Sequence, residues 1–268
     1  MTNRSMIFAL TLCAGLAPQA VLCAGVPAEG FNVEARVALA GFRSTVEAEL
    51  AGDLAALRTL ASTREARTGE WDRIKGPLSV LAASIEHDAA VWFARADGSY
   101  FTVEKDLADQ NLRERAYFPA LLAGRDVVGA LVISKSTGKR SVVVAAPVMQ
   151  DGKMSGALGV SLDMESWSAS LDRRTAFPEN VVFYALDADG QTVLHRVGNL
   201  IFEFPSEQGS PTLSDAVKQM LTEPRGVVHY HFGGNYRTAV FERSPLTGWV
   251  FVLGLAHPAA SAATTPAP

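Results

Sequence analysis

Residues 137–139 read Thr-Gly-Lys, three residue types that can close a phosphate-binding loop. Such a loop needs an upstream glycine in the spacing G-x-x-x-x-G-K, a Ser or Thr after the lysine, and a helix N-terminus whose amides face the phosphates. Here Ile133 stands at the glycine position, Arg140 follows the lysine, and the continuation Ser-Val-Val-Val-Ala-Ala-Pro-Val is a strand sequence. Nucleotide chemistry is therefore excluded. His229 and His231 share one face of a strand by the period of two, as a pair of metal ligands would. A metal site wants three or four ligands and no third stands at a readable spacing, so no metal is expected. Asp187-Ala188-Asp189-Gly190 starts like a calcium loop but lacks the remaining ligands and the distal glutamate, which makes it a turn. Asp163 and Glu165 are placed to share acid–base work, yet they fall where the first half of the chain ends and are expected in solvent. With no G-x-S-x-G elbow and no H-E-x-x-H pair, the chain is not expected to be an enzyme, and a hydrolase is the weakest of its alternatives.

The elements that position these residues are legible from periodicity and turns. Residues 132–162 read as three strands joined by the turns Ser-Lys-Ser-Thr-Gly-Lys and Gln-Asp-Gly-Lys, because Asp-Gly between apolar runs is a hairpin signal. Upstream, residues 31–66 contain no proline, and Leu39, Phe42, Val46, Leu50, Leu54, Leu57 and Ala61 recur at spacings of three and four. That pattern predicts one long amphipathic helix. A shorter helix is expected in residues 71–87, broken near Gly76-Pro77. Residues 90–101 and 182–194 then each read strand, Asp-Gly turn, strand, and each is followed by an irregular or helical stretch and a three-strand meander. The second copy's helical part is Leu213–Glu223, with Ser214 as its expected cap. The chain is thus an α+β protein with a five-stranded antiparallel sheet occurring twice, divided near residues 172–180.

Composition bounds the function. The chain has 268 residues, 48% of them hydrophobic and 19% charged, with a formal net charge of −4. Lys and Arg are scattered rather than blocked, which argues against a nucleic-acid partner or an anionic-membrane patch. Residues 1–24 have Arg4 ahead of an apolar run and small residues near Ala24, as in a secretory signal, with cleavage expected after about Ala24. A retained anchor is the alternative, but Pro18-Gln19 interrupts the run and leaves less than the roughly 20 apolar residues of a spanning helix. Lipid attachment at Cys23 is disfavoured by Leu22 before it. Both cysteines, Cys13 and Cys23, lie in or at the edge of this segment, so the rest has no disulfide, thiolate metal site or cysteine nucleophile. No stable membrane insertion is expected.

The order of Arg-x-Tyr-Phe at 115–118, Thr-Gly-Lys at 137–139, Pro-Val-x-x-Asp-Gly-Lys-x-x-Gly-x-Leu-Gly at 147–159 and Thr-Gly-Trp at 247–249 resembles the double Cache domains, PAS-like extracytoplasmic sensors of bacterial chemoreceptors and kinases. The resemblance covers about residues 31–255. It implies a long helix with a membrane-distal, ligand-binding module over 31–175 and a smaller second module over 178–255, followed by a disordered tail at 256–268. It further implies a periplasmic or secreted small-molecule sensor that needs no cofactor. Double Cache domains usually sit between two membrane helices, whereas this chain ends in a polar Pro- and Ala-rich stretch, so a free sensor domain is expected to signal through a membrane-bound receptor or kinase. A structural or interaction module that has kept the fold and lost the pocket is the alternative.

The amino-acid-binding members of that family have a recognisable set of contacts, and the match here is partial. Their carboxylate-holding Arg-x-Trp-Tyr corresponds to Arg115, Tyr117 and Phe118, but Gln110 replaces the preceding tyrosine. Val132 and Ser134 replace a Tyr-x-Asp, and Ser161 replaces the aspartate that pairs with a ligand ammonium. An ammonium taken out of water needs such a carboxylate, so an α-amino acid is disfavoured. Arg115 keeps a planar fork suited to a carboxylate. A small polar or anionic ligand, carboxylates among them, is the expectation, contacted by Arg115, Tyr117, Ser134, Ser161 and Trp92. Each has a plainer role open to it: Arg115 as a structural bridge from the crossing segment to the sheet, and Tyr117, Trp92 and Tyr100 as core aromatics.

Overall fold

The structure, a computed structural model, describes residues 28–257. The expected signal segment lies outside the described residues, as does the expected tail from 258 onward. Helix α1 (Ala28–Ala61) is the predicted long helix, and Leu39, Phe42, Val46, Leu50 and Leu57 on its apolar stripe are almost fully buried. Each such side chain contributes about 1.5–3 kcal/mol by leaving water. After α1 the hydroxyl of Thr63 accepts from the Ala66 amide and starts the single turn α2 (Arg64–Arg67). Helix α3 (Trp71–Ser84) follows unbroken, contrary to the expected interruption at Gly76-Pro77. Both residues lie on its exposed face, where water can take the carbonyl that Pro77 leaves free, while Ile74 and Leu78 hold the buried face.

The first sheet is built from β1 (Ala89–Arg95), β2 (Ser99–Thr102), β3 (Asp106–Asn111), β4 (Val127–Ile133), β5 (Arg140–Gln150) and β6 (Lys153–Asp163), in the antiparallel order β3-β2-β1-β6-β5-β4. It has six strands rather than the expected five, because the polar segment Asp106–Asn111 pairs with β2 as an edge across a bulge. Between β3 and β4 the chain crosses the sheet face and forms the short helix α4 (Phe118–Leu122). The β5–β6 turn is the predicted hairpin, with Asp151 at φ 50° and Gly152 at φ 75°. Helix α5 (Met164–Thr175) closes the module. Its cap corrects the expectation for Asp163, which is buried rather than solvated and accepts from the Ser166 amide at 2.7 Å.

A left-handed Ala176 ends α5 inside the predicted boundary. The second sheet then repeats the plan: β7 (Val181–Leu186), β8 (Thr192–His195), α6 (Pro211–Thr222), β9 (Arg225–Phe232), β10 (Asn235–Arg243) and β11 (Val250–His257), ordered β8-β7-β11-β10-β9. Helix α6 is capped by Ser210, not Ser214; Pro211 at its first position pre-sets the backbone and Ser210 Oγ accepts from the Leu213 amide. Strand β11 reaches His257, two residues past the expected end of the second module.

The modules share one core along α1. Phe42 packs 4.8 Å from Phe183 and 5.8 Å from Phe251 of the second sheet, centroid to centroid. Farther along α1, Arg58 pairs with Asp126 at the start of β4. The modules also meet directly where Gly129, at φ 86° on the bulge of β4, lets Trp249 lie against its backbone; a Cβ there would come within 3.2 Å of the indole. No helix among the described residues is long and apolar enough to cross a membrane.

Candidate ligand site

Alternation along β1, β5 and β6 puts Val91, Phe93, Val142, Val144, Leu158 and Val160 toward α1, and Trp92, Ala94, Val143, Ala145 and Ala157 on the opposite face. The segment 112–122 crosses this second face. Leu112 is tied to the β1–β2 turn through the Gly98 carbonyl at 2.8 Å, and Phe118 and Leu121 are sealed onto the sheet. The crossing thereby brings Arg115 and Tyr117 to the face from which Trp92 and Ser161 project, with Ser134 arriving from the end of β4. All five predicted residues line one pocket.

The space among them is nearly closed. Trp92 lies over Gly159, where any Cβ would overlap the indole, and its Nε1 donates to Ser161 Oγ at 3.1 Å. Tyr117 packs against it, 6.5 Å between ring centroids. Burial pushes the Tyr117 phenol well above its ordinary value, with the Arg115 charge pulling back, so it stays a neutral donor. Arg115 donates from Nη2 to the Ile133 carbonyl, its one side-chain hydrogen bond among the described residues, and so makes the bridge from crossing to sheet. Ser134 Oγ sits 3.2 Å from Ser136 Oγ and accepts from the Thr137 amide, which spends it on the Thr-Gly-Lys turn. The remaining volume is about 10 Å³, room for roughly one water.

Beside this filled pocket, on the same face, the sheet carries a hollow of about 370 Å³ that shares Ser136 and Ser161 with it. Its floor is made of the small residues Ala90, Ser141 and Ser161, and its rim carries Lys105, Lys139 and Thr137. Lys105 Nζ donates to the Ser136 carbonyl at 2.6 Å and makes no ion pair among the described residues. Lys139 pairs with Asp88 at 2.6 Å and with Asp163 at 3.4 Å. Asp88 holds the Lys139 ammonium above its usual range, and the same hydrogen bond holds Asp88 below its own. Among the described residues, Lys105, Lys135 and Arg115 line this face without an ion pair, and Asp88, Glu104 and Asp163 line the hollow as well. Period-two alternation through Ser141, Val143 and Ala145 could have revealed the hollow, since small residues on one sheet face leave space above it. Lys105 had no such signal.

The calcium-like run at 187–190 is a turn, with Asp187 accepting the Asp189 and Gln191 amides. His229 and His231 flank the Tyr236 ring on an exposed edge, and among the described residues no group of three or more ligand-type side chains could hold a metal.

No protein-family model matches the sequence, and no curated protein matches it. Solved structures do. The ligand-binding domain of the Pseudomonas aeruginosa PAO1 amino-acid chemoreceptor PctB, in complex with L-Arg, superposes with a TM-score of 0.65 at 16% identity, covering 87% of this chain and 98% of that one. The sensory domain of the Campylobacter jejuni chemoreceptor Tlp3 with isoleucine bound gives 0.62 at 16% identity over 85% and 93%. The ligand-binding domain of the Pseudomonas fluorescens chemoreceptor CtaA with L-isoleucine gives 0.63 at 16% identity over 85% and 91%.

Proposed function

We propose, from a chain with the double Cache fold of chemoreceptor sensory domains, that the protein is a periplasmic or secreted small-molecule sensor. Its ligand is a small polar or anionic compound held on the open face of the first sheet, and the bound state is passed to a membrane partner. The observation that supports this is the convergence of Trp92, Arg115, Tyr117, Ser134 and Ser161, scattered over 70 residues, at one place bordering a 370 Å³ hollow. Three cations without carboxylate partners among the described residues, Arg115, Lys105 and Lys135, support an anionic ligand there. Helix α1 packs on both sheets and is the element through which a change in one module would bear on the other.

A second reading has its own support. Trp92 fills the pocket that the family resemblance assigns to ligand, as a module that kept the fold and gave up binding would have it. A thermal-shift screen of the purified protein against carboxylates, amines, purines and amino acids separates the two. A ligand at a hundred times its dissociation constant adds about 2.7 kcal/mol of stability, and Arg115→Ala should remove that gain while the unliganded protein still melts cooperatively. An Arg115→Ala protein that is unfolded, or that keeps full affinity, makes this arginine a structural bridge only. A screen without any hit favours the ligand-free module.

A further inference from the structure

The second module has a cavity of its own, about 100 Å³ in volume, between the open face of its sheet and the segment that links β8 to α6. Most of its wall is apolar, supplied by Val182, Leu200, Leu213 and Phe232. Polar groups gather in it through strand pairing: Arg237 of β10 is the register partner of Tyr230 on β9, and His195 of β8 is the partner of Tyr184 on β7. Gly254 of β11 lies between these pairs. A Cβ there would stand 3.2 Å from Val182 Cγ1 and 3.5 Å from the Tyr230 hydroxyl, so the missing side chain keeps the floor clear.

The charge of this cavity is unanswered. Arg237 makes no ion pair among the described residues, and its Nε is buried with no hydrogen-bond partner. Glu203 lines the same space without closing on it. Glu203 is exposed at the mouth, and the polar neighbours deeper in are neutral. His195, nine-tenths buried, accepts the Val197 amide on Nδ1 at 2.8 Å, which puts its ring proton on Nε2. Burial first, and the Arg237 charge second, depress His195 to about 4, so the ring is uncharged at neutral pH. Tyr184 donates to the Tyr230 hydroxyl at 3.2 Å, which leaves the Tyr230 proton free to donate. A half-buried guanidinium whose Nε has no partner and which meets only the Phe232 ring, 5.9 Å away, is under-satisfied, and a planar carboxylate is the group that matches its fork. A single cation beside an apolar wall suits one negative charge with a short carbon chain better than a phosphate.

We propose that the second module binds a small monocarboxylate, its head group on Arg237 with Tyr230 and His195 as further donors, and its carbon chain against Val182 and Leu213. This site is separate from the one proposed on the first sheet. It also adjoins the contact between modules, because Arg140 of β5 donates to the Ile201 carbonyl at 2.6 Å, next to the wall residue Leu200.

Titration calorimetry and thermal shift of the purified protein with butyrate, butyramide and matched sodium chloride provide the test. Butyrate should bind and raise the melting temperature, while butyramide and chloride should not. Arg237→Gln should weaken butyrate by about thirtyfold or more, the cost of removing one partner of a desolvated charge pair, whereas Lys218→Gln, at an exposed lysine outside the cavity, should leave it unchanged. Equal response to butyrate and butyramide, unaltered affinity in Arg237→Gln, or equal loss in Lys218→Gln would each overturn the proposal, the second by assigning the ligand to another site and the last by showing only a general effect of lost positive charge. Should Arg237→Gln fail to fold, the His195 ring resonances of the unmodified protein decide: butyrate must shift them, and signals that stay in place refute the site.

Discussion

Phe42→Ala is expected to cost about 3–5 kcal/mol of stability, the range for truncating a fully buried phenylalanine. The ring is 2% exposed and is held by Phe183, Phe251 and Phe177, so no neighbour can collapse into the space without leaving another contact. Phe183 and Phe251 come from the second module and Phe177 from the segment that joins the two, while Phe42 comes from the helix that also carries the first. The loss should therefore loosen the joint between modules as well as the core. In a chain of this size it corresponds to a fall in melting temperature of roughly 10 °C. Urea titration read by tryptophan fluorescence and by far-ultraviolet dichroism would measure it. A shift below about 1 kcal/mol would mean that α1 is not part of a common core.

The second large effect is in acid. His195 is held neutral, its pKa lowered from 6.5 to about 4 by burial and then by Arg237. The unfolded chain binds this proton near 6.5 and the folded chain does not until about 4, so between those values the unfolded state carries more protons. Stability from His195 is fully present above pH 6.5 and declines as pH falls to 4, by roughly 3 kcal/mol in all. Other groups titrate in the same window. His87 is lowered by burial and adds to the decline, whereas Asp53, raised to about 6 by burial and by Glu49, opposes it. The difference between the protein and a His195→Gln variant isolates the one group: the variant should be less sensitive to acid, and its stability relative to the parent should rise steadily from pH 6.5 to 4. A difference that is constant across that window would show that His195 titrates normally.

The helices and strands that carry strong periodicity were legible, and the misjudged ones show what overrides it. Helix α1 follows from Leu39, Phe42, Val46, Leu50 and Leu57 alone, because an amphipathic stripe without proline has one favourable way to bury itself. Strand β3 could not be read, since Asp106–Asn111 is polar almost throughout and is a strand only because β2 offers it an unpaired edge. Pro77 failed to break α3 because its face is solvated. Helix α6 is capped at Ser210, one turn before Ser214, and Ser210-Pro211 has the usual form of a helix start.

By itself the sequence determined the α+β plan of a long helix and two antiparallel sheets, while the meeting place of Trp92, Arg115, Tyr117, Ser134 and Ser161 on the first sheet is what the family resemblance implies. The plan follows from local periodicity, turn chemistry and a repeated order of elements, all of which act over short stretches of chain. Whether that meeting place is open was decided only by tertiary structure. Trp92 occupies it because Gly159, 67 positions away, lies beside it across the β1–β6 ladder and leaves room for the indole. The second cavity was equally hidden, since Tyr184, His195, Tyr230 and Arg237 come together only through the registers of β7 with β8 and of β9 with β10. Occupancy, burial and unanswered charge depend on neighbours brought in by strand pairing, and no spacing along one strand encodes them.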